Sequence, residues 1–233
     1  MNDALLNLLR CPFCGTRLSL VDTGATVRVN GQIRSGVIGC GCCAFPIVSG
    51  IPVLIADDVT RQAVRALEAG QPEDALLGLL GLQGDRVEQF RTLLATPEGT
   101  YQSALKLLSV DAEGTYFLYR FSDPTFLVAE AIVRALAPYG ATRNGPILDL
   151  CGGCGHLTNV LASLAPNVVT PAQTVVTDLY FWKLWLATRF TAPGAAAVCC
   201  NADAPLPFAR DLFSMVVLTD AFPYIWHKRL CAD

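Results

Sequence analysis

Charge is scarce in this chain, as are the features that mark membrane or disordered proteins. Only 16% of the 233 residues are charged, against 52% hydrophobic. That excludes the high-charge composition of disordered chains and leaves material for a large core. The formal charge is −3 and the pI is near 5.4. A sequence-independent grip on nucleic acid needs a basic surface, so nucleic acid is not favoured, although a local basic patch stays open. Mean hydropathy is +0.42, yet no apolar run reaches membrane-spanning length. The greasiest stretch, LYFWKLWLATRF, is short and broken by Lys183 and Arg189. The start, MNDALLNLLRCPFC, carries an acid and no small-residue cleavage site, so it does not read as a signal peptide. No internal repeat or low-complexity tract is present, and residues 57–145 contain no cysteine. The expectation is a cytoplasmic chain with no membrane partner, long enough for one full domain and a small one.

What the chain does have is cysteine, ten in all, five of them within residues 1–56. Without an export signal they belong in a reducing compartment, where cysteines bind metal or sit buried more often than they pair. Cys11-Pro-Phe-Cys14 and Cys40-Gly-Cys-Cys43 are two C-x-x-C pairs separated by 25 residues. Four thiolates so spaced suit tetrahedral structural Zn2+, and the glycine and proline neighbours permit the tight turns it needs. The expected ligands are Cys11, Cys14, Cys40 and Cys43. Cys42, next to Cys43, is the alternative fourth ligand, and regular knuckle spacing selects Cys43. A module this small has little core of its own, so zinc, worth on the order of 10 kcal/mol or more, is expected to carry its folding. The stretch LLNLLRCPFC…GCGCCAFPIVSGIPVLI resembles the small zinc-ribbon proteins that partner and activate methyltransferases. The likeness rests on L-x-C-P-x-C, the second cysteine pair, Phe45-Pro46-Ile47 and Gly50-Ile51-Pro52-Val53-Leu54, about the first quarter of the chain.

Three textures divide the chain. Residues 1–56 carry short β-like runs such as GATVRV and FPIVSGIPVLI. Residues 57–145 are helical in period: Ala63, Val64 and Leu67 line one face, and EDALLGLLGL, DRVEQFRTLLA and YQSALKLLSV follow the same rule. Gly70-Gln71-Pro72, Gly84 and Pro97-Glu98-Gly99 punctuate them. In SDPTFLVAEAIVRALAPYG, Ser122 or Asp123 is the expected N-cap, Pro124 the first helical residue, and Pro138 and Gly140 the stop. Residues 146–233 alternate: PILDL, a helix from His156, TVVTDL, a helix through Trp182–Phe190, AAAVCC, then FSMVVLTD. That rhythm predicts βαβ units and a mostly parallel sheet, hence an α/β fold with a helical cap and a small N-terminal β domain.

The turn ILDLCGGCGHL raises the functional question. Metal is the weaker reading of Cys151 and Cys154, because Cys199-Cys200 supplies no matching knuckle. An apolar strand ending in Asp149, then glycines and a helix, aims backbone amides from a helix N-terminus at a ligand. Gly153 and Gly155 let backbone approach where a Cβ would collide. A dinucleotide fingerprint wants a third glycine where Thr158 stands. Asp178 ends the next strand 23 residues beyond Gly155, where an acid accepts hydrogen bonds from ribose hydroxyls.

Asp-x-x-x-Gly-x-Gly instead resembles the first motif of class I S-adenosylmethionine (SAM) methyltransferases, with Cys151 and Cys154 in place of a usual glycine and threonine. The resemblance implies a Rossmann-like core and SAM as cofactor, bound by Asp149, Gly153, Gly155, Asp178 and Leu179. In CCNADAPLPF it implies that Asp203 meets the adenine amino group and Ala204 the ring edge. Each aspartate alone is an ordinary turn or N-cap residue; four strand ends in order, each with an acid, are harder to explain so. GTYFLYRFSDPTF reads first as an aromatic stripe packing the cap. Its second reading is a lid over the methionine end of SAM, with Tyr116, Tyr119 or Arg120 near the carboxylate. Trp182 and Trp185 read as core.

The family core has seven strands, and this chain ends 13 residues after Asp220. A core truncated after its fourth strand leaves an open edge for self-association or a partner protein. Asp220, Tyr224 and His227 are the candidates for substrate handling or proton removal, with His227 also readable as a surface residue beside Lys228 and Arg229. The expected function is methyl transfer to a small-molecule, protein or RNA acceptor. The alternative is a non-catalytic SAM-binding or scaffold module that partners another methyltransferase or a ribosomal component.

Overall fold

The computed structural model describes residues 1–96, 99–109, 112–140, 145–164 and 174–232. Pro97 and Glu98 of one expected helix break lie outside them. After a short helix α1 (Asp3–Leu8), the N-terminal region forms an antiparallel sheet: β1 (Ser19–Leu20), β2 (Val27–Val29), β3 (Gln32–Gly39), β4 (Ala44–Val48) and β5 (Ile51–Pro52). β3 is the hub, pairing with β1, β2 and β4. Strand alternation sends Val37 and Ile38 to opposite faces, and both are fully buried in different apolar clusters. The sheet is therefore covered on both sides.

Helices follow: α2 (Asp58–Glu68), α3 (Pro72–Leu79), α4 (Asp85–Ala95), α5 (Tyr101–Leu108), α6 (Glu113–Leu118) and α7 (Pro124–Gly140). The apolar period decides which faces pack. α2 buries Ala63 and Leu67 as expected, with Asp57 capping the Thr60 N–H at 2.7 Å. Asp123 is the cap of α7, accepting from the Thr125 and Phe126 N–H groups at 2.9 and 3.3 Å. Pro138 does not stop this helix, which runs on to Gly140. In a last turn, proline forfeits its own hydrogen bond while its φ stays helix-compatible.

The C-terminal region is a four-stranded parallel sheet in the order β8-β7-β6-β9, with β6 (Ile147–Asp149), β7 (Thr174–Asp178), β8 (Ala196–Cys199) and β9 (Met215–Val217). Helix α8 (His156–Ser163) follows β6, and α9 (Phe181–Leu186) follows β7 and continues into a π turn, Ala187–Thr191. Trp182 and Trp185 are core, as expected. β6, β7 and β8 are buried almost throughout because both faces are covered, whereas Val216 of β9 is exposed. On one face Ile147 packs with Phe126, Val133, Leu157 and Leu161 of α7 and α8.

On the other face Leu148, Leu150, Val175 and Val198 share a core with Leu5, Leu9, Leu18, Ile33, Ile38, Phe45, Ile47 and Leu54. The cysteine-rich region is thus packed against the parallel sheet. Full burial contributes about 1.5–3 kcal/mol per large aliphatic or aromatic side chain. Those side chains together supply on the order of 10–20 kcal/mol before conformational entropy is charged against it. Metal is not the sole support of this region.

The edges of the sheet differ. β8 is continued by the N-terminal region: Val53 bridges Cys199, and the Leu54 N–H donates to the Cys199 carbonyl at 2.7 Å. On its outer side β9 has no strand partner among the described residues. There an open apolar groove of about 620 Å³ runs between β9 and α7, lined by Val128, Ile132, Leu136, Met215 and Val217. No helix of the described residues is long and apolar enough to cross a membrane.

Candidate metal centre and glycine corner

Two turns, after α1 and after β3, bring sulfurs together. Sγ atoms of Cys11, Cys14, Cys40 and Cys42 all lie within 4.8 Å of one another. Cys11–Cys42 and Cys14–Cys40 are 3.7 Å apart, Cys40–Cys42 3.3 Å and Cys14–Cys42 3.2 Å. A tetrahedral ion with Zn–S of about 2.3 Å requires S···S of about 3.8 Å, so the set is close to zinc dimensions. The fourth sulfur is that of Cys42, which corrects the expectation of Cys43. The Cys40 N–H donates to the Cys43 carbonyl at 2.9 Å, so Cys43 closes the turn with its backbone. Cys43 Sγ instead approaches Cys42 Sγ from outside the quartet, at 3.5 Å. Regular knuckle spacing failed because the turn closes one residue early. Burial pushes the Cys11 thiol up to about 11, so metal binding there must release a proton.

The glycine turn lies at the carboxyl ends of β6 and β7. Asp149, 1% exposed, accepts a hydrogen bond from the Thr158 hydroxyl at 2.5 Å and so ties the strand end to α8. Burial raises its carboxyl to about 7, against that hydrogen bond. Asp178 accepts from the Gly153 and Tyr180 N–H groups at 3.1 and 2.9 Å. Burial raises its carboxyl as well, opposed by the Lys183 charge. Gly155 has φ of 77°, and a Cβ there would lie 2.8 Å from Ala187 Cβ, so only glycine fits. A Cβ on Gly153, φ 56°, would lie 3.1 Å from the Phe117 ring. The space that glycine keeps open is taken by that ring. Leu179 is exposed next to Asp178.

Phe117 belongs to an aromatic group around the buried His156 ring. It stacks on His156 at 6.0 Å, and His156 also meets Tyr101, Phe121 and Phe126 edge-on. Burial, then the Arg120 charge, lowers the His156 pKa to about 4, so the ring is neutral. Lys183, also buried, donates to Glu113 at 3.0 Å and lies over the rings of Phe117, Tyr180 and Trp182.

Arg120 is 6% exposed and pairs with Asp123 and Asp220, with Tyr116 and Phe126 against its guanidinium. Asp220, φ 62°, follows β9 and pairs with the Arg120 guanidinium. Asp220 and Arg120 are thus brought together, while Tyr119 and Tyr224 are exposed. His227 is elsewhere, exposed, with Nδ1 3.8 Å from Asp203. Asp203 accepts the N–H groups of Trp226 and His227 at 2.6 and 3.0 Å, which ties down the C-terminal segment. Ala204 turns beside it, its N–H donating to the Asn201 carbonyl.

Glu113, Lys183 and Thr158 escaped the sequence reading. Lys183 carried a signal: a lone cation inside an apolar helical run must find a partner if that face is buried. No protein-family model matches the chain, and no curated protein matches it either.

Proposed function

We propose that the chain is a SAM-dependent methyltransferase-type domain with a structural zinc site. Strand order β8-β7-β6-β9 is that of one half of a doubly wound sheet plus the first strand beyond its reversal. Such Rossmann-like sheets bind ligands outside the carboxyl ends of the strands, where the order reverses, here between β6 and β9. The observation that carries the reading is the Asp178 carboxylate at the end of β7, hydrogen-bonded to the Gly153 amide of the turn after β6, next to that reversal.

In this reading Asp178 and Leu179 face the ribose, Asp149 and Thr158 fix the turn, and Gly153 and Gly155 admit the ligand against backbone. Asp203 and Ala204 stand on the adenine side. When bound, SAM supplies an electrophilic methyl carbon. The chain's part is to align the acceptor with it, exclude water and, where the acceptor is protonated, remove a proton. Asp220 is the base candidate, held by Arg120, with Tyr224 handling substrate; His227, remote and paired with Asp203, has the weakest case. The acceptor is a small molecule, a protein or an RNA.

Titration calorimetry with SAM tests the reading. Micromolar binding that Asp178→Ala abolishes supports it; no binding by folded, zinc-loaded protein, either as wild type or with the Phe117 ring removed, rejects it. A second reading is a non-catalytic scaffold, favoured by the Phe117 ring on Gly153 and by the apolar β9 edge, where a partner protein would pair.

A further inference from the structure

Helix α6 is a short helix on the surface of the body. It has six residues and no side-chain cap at its start, and Glu113 and Tyr116 on it are half-exposed. Its grip consists of Phe117, buried on Gly153 and His156 and edge-on to Trp182, of Leu118 packed on the core, of the Phe117 carbonyl accepting from the Tyr101 hydroxyl at 3.5 Å, and of Glu113, paired with the buried Lys183 ammonium. Its far end runs into Arg120, which Asp123, Thr125 and Asp220 hold firmly. One end is anchored at Arg120 and the other carries the Glu113–Lys183 ion pair, with Phe117 seated between them, the arrangement of a flap that turns about Tyr119–Arg120.

Resting on the SAM reading, we propose that α6 is an autoinhibitory plug: Phe117 fills the glycine corner, the Lys183–Glu113 pair latches it, and an adenosyl ligand enters by displacing it. The corner beside Asp178 is where the ligand's ribose and the glycine amides must meet, and Phe117 now lies against it. The same displacement would free Lys183 from Glu113, leaving its ammonium beside Asp178 and the Tyr180 and Trp182 rings. A short helix with one buried aromatic anchor and one latch belongs to the low-stability end of a structure, from which moving elements are drawn.

A ligand that binds only the open state loses affinity by the fraction of molecules open, so weakening the plug must tighten binding. Phe117→Ala and the milder Glu113→Gln should each lower the SAM dissociation constant, by about 10-fold for a latch that holds nine molecules in ten closed. In the wild type, saturating SAM should speed hydrogen exchange of amides 113–118. Wild-type binding that is lost in Asp178→Ala but not tightened in either variant overturns the plug and leaves the SAM reading intact. So does increased protection of 113–118, which would make α6 a cover that closes over ligand. Failure of wild type and both variants to bind SAM rejects the SAM reading and the plug together.

Discussion

Replacing Cys42 by serine removes one of four sulfurs that lie within 4.8 Å of each other, whereas replacing Cys43 leaves that quartet whole. Structural zinc contributes about 10–16 kcal/mol in small modules, so one thiolate of four accounts for about 2.5–4 kcal/mol. That is a loss of zinc affinity of about 10²–10³-fold for Cys42→Ser. Cys43→Ser should change affinity by less than about 3-fold, because only its carbonyl, held by the Cys40 N–H, takes part in the turn. Chelator competition with a chromogenic indicator measures both affinities. Cobalt substitution adds a check, since tetrahedral thiolate coordination gives intense visible bands that Cys42→Ser should shift and weaken. Zinc loss in Cys43→Ser with Cys42→Ser unaffected would refute the geometry of the quartet. Metal removal should not unfold the chain outright, because the zinc-bearing strands also bury Phe45 and Ile47 in the core shared with the parallel sheet. Near-ultraviolet circular dichroism of chelator-treated protein should keep most of its signal.

Three further outcomes are expected. Asp149 has a folded pKa of about 7, above its unfolded value of about 4, so its contribution is present below pH 4 and lost as pH rises through 7. His156, depressed to about 4, contributes above about pH 6.5 and loses that as pH falls towards 4. The slopes oppose; Asp149→Asn, whose amide oxygen still accepts from Thr158, should raise stability at pH 8 by up to about 4 kcal/mol and expose the acid-side fall. Urea denaturation across pH 4–8 measures this, and an unchanged profile contradicts the burial argument. Gly155→Ala should cost about 2–4 kcal/mol, from a left-handed backbone and a collision with Ala187; a melting temperature within error of wild type sinks it. Asp123→Ala should cost about 1–2 kcal/mol by removing the α7 cap and one Arg120 partner, and loss below 0.3 kcal/mol in the same assay speaks against it.

Much of the architecture was legible because it depends on local rules. The runs around Leu148, Val176 and Ala197 became parallel strands, the apolar period placed Ala63 and Leu67 in the core, and Pro124 opens α7. What spacing alone cannot resolve is tertiary choice. Cys42 and Cys43 are equal in composition, and only the Cys40–Cys43 backbone hydrogen bond decides which sulfur turns inward. Packing of the zinc-bearing sheet on Leu148 and Val175 was hidden because Val37 and Ile38, on opposite faces of β3, are both apolar, and either reads as the core of a separate module. Asp203 reads as a strand-end acid, and no spacing shows that it also holds the backbone of Trp226 and His227, a partnership of distant segments. Phe117 read as one ring in an aromatic stripe, and no periodicity distinguishes the ring that covers a glycine.

The most direct measurement is a crystal structure of zinc-loaded protein soaked with S-adenosylhomocysteine. The account predicts its adenosyl group at the β6 and β7 carboxyl ends, ribose hydroxyls on Asp178, and the Phe117 ring moved off Gly153. Clear density for the chain with Phe117 still seated and the ligand absent or bound at another crevice would contradict it.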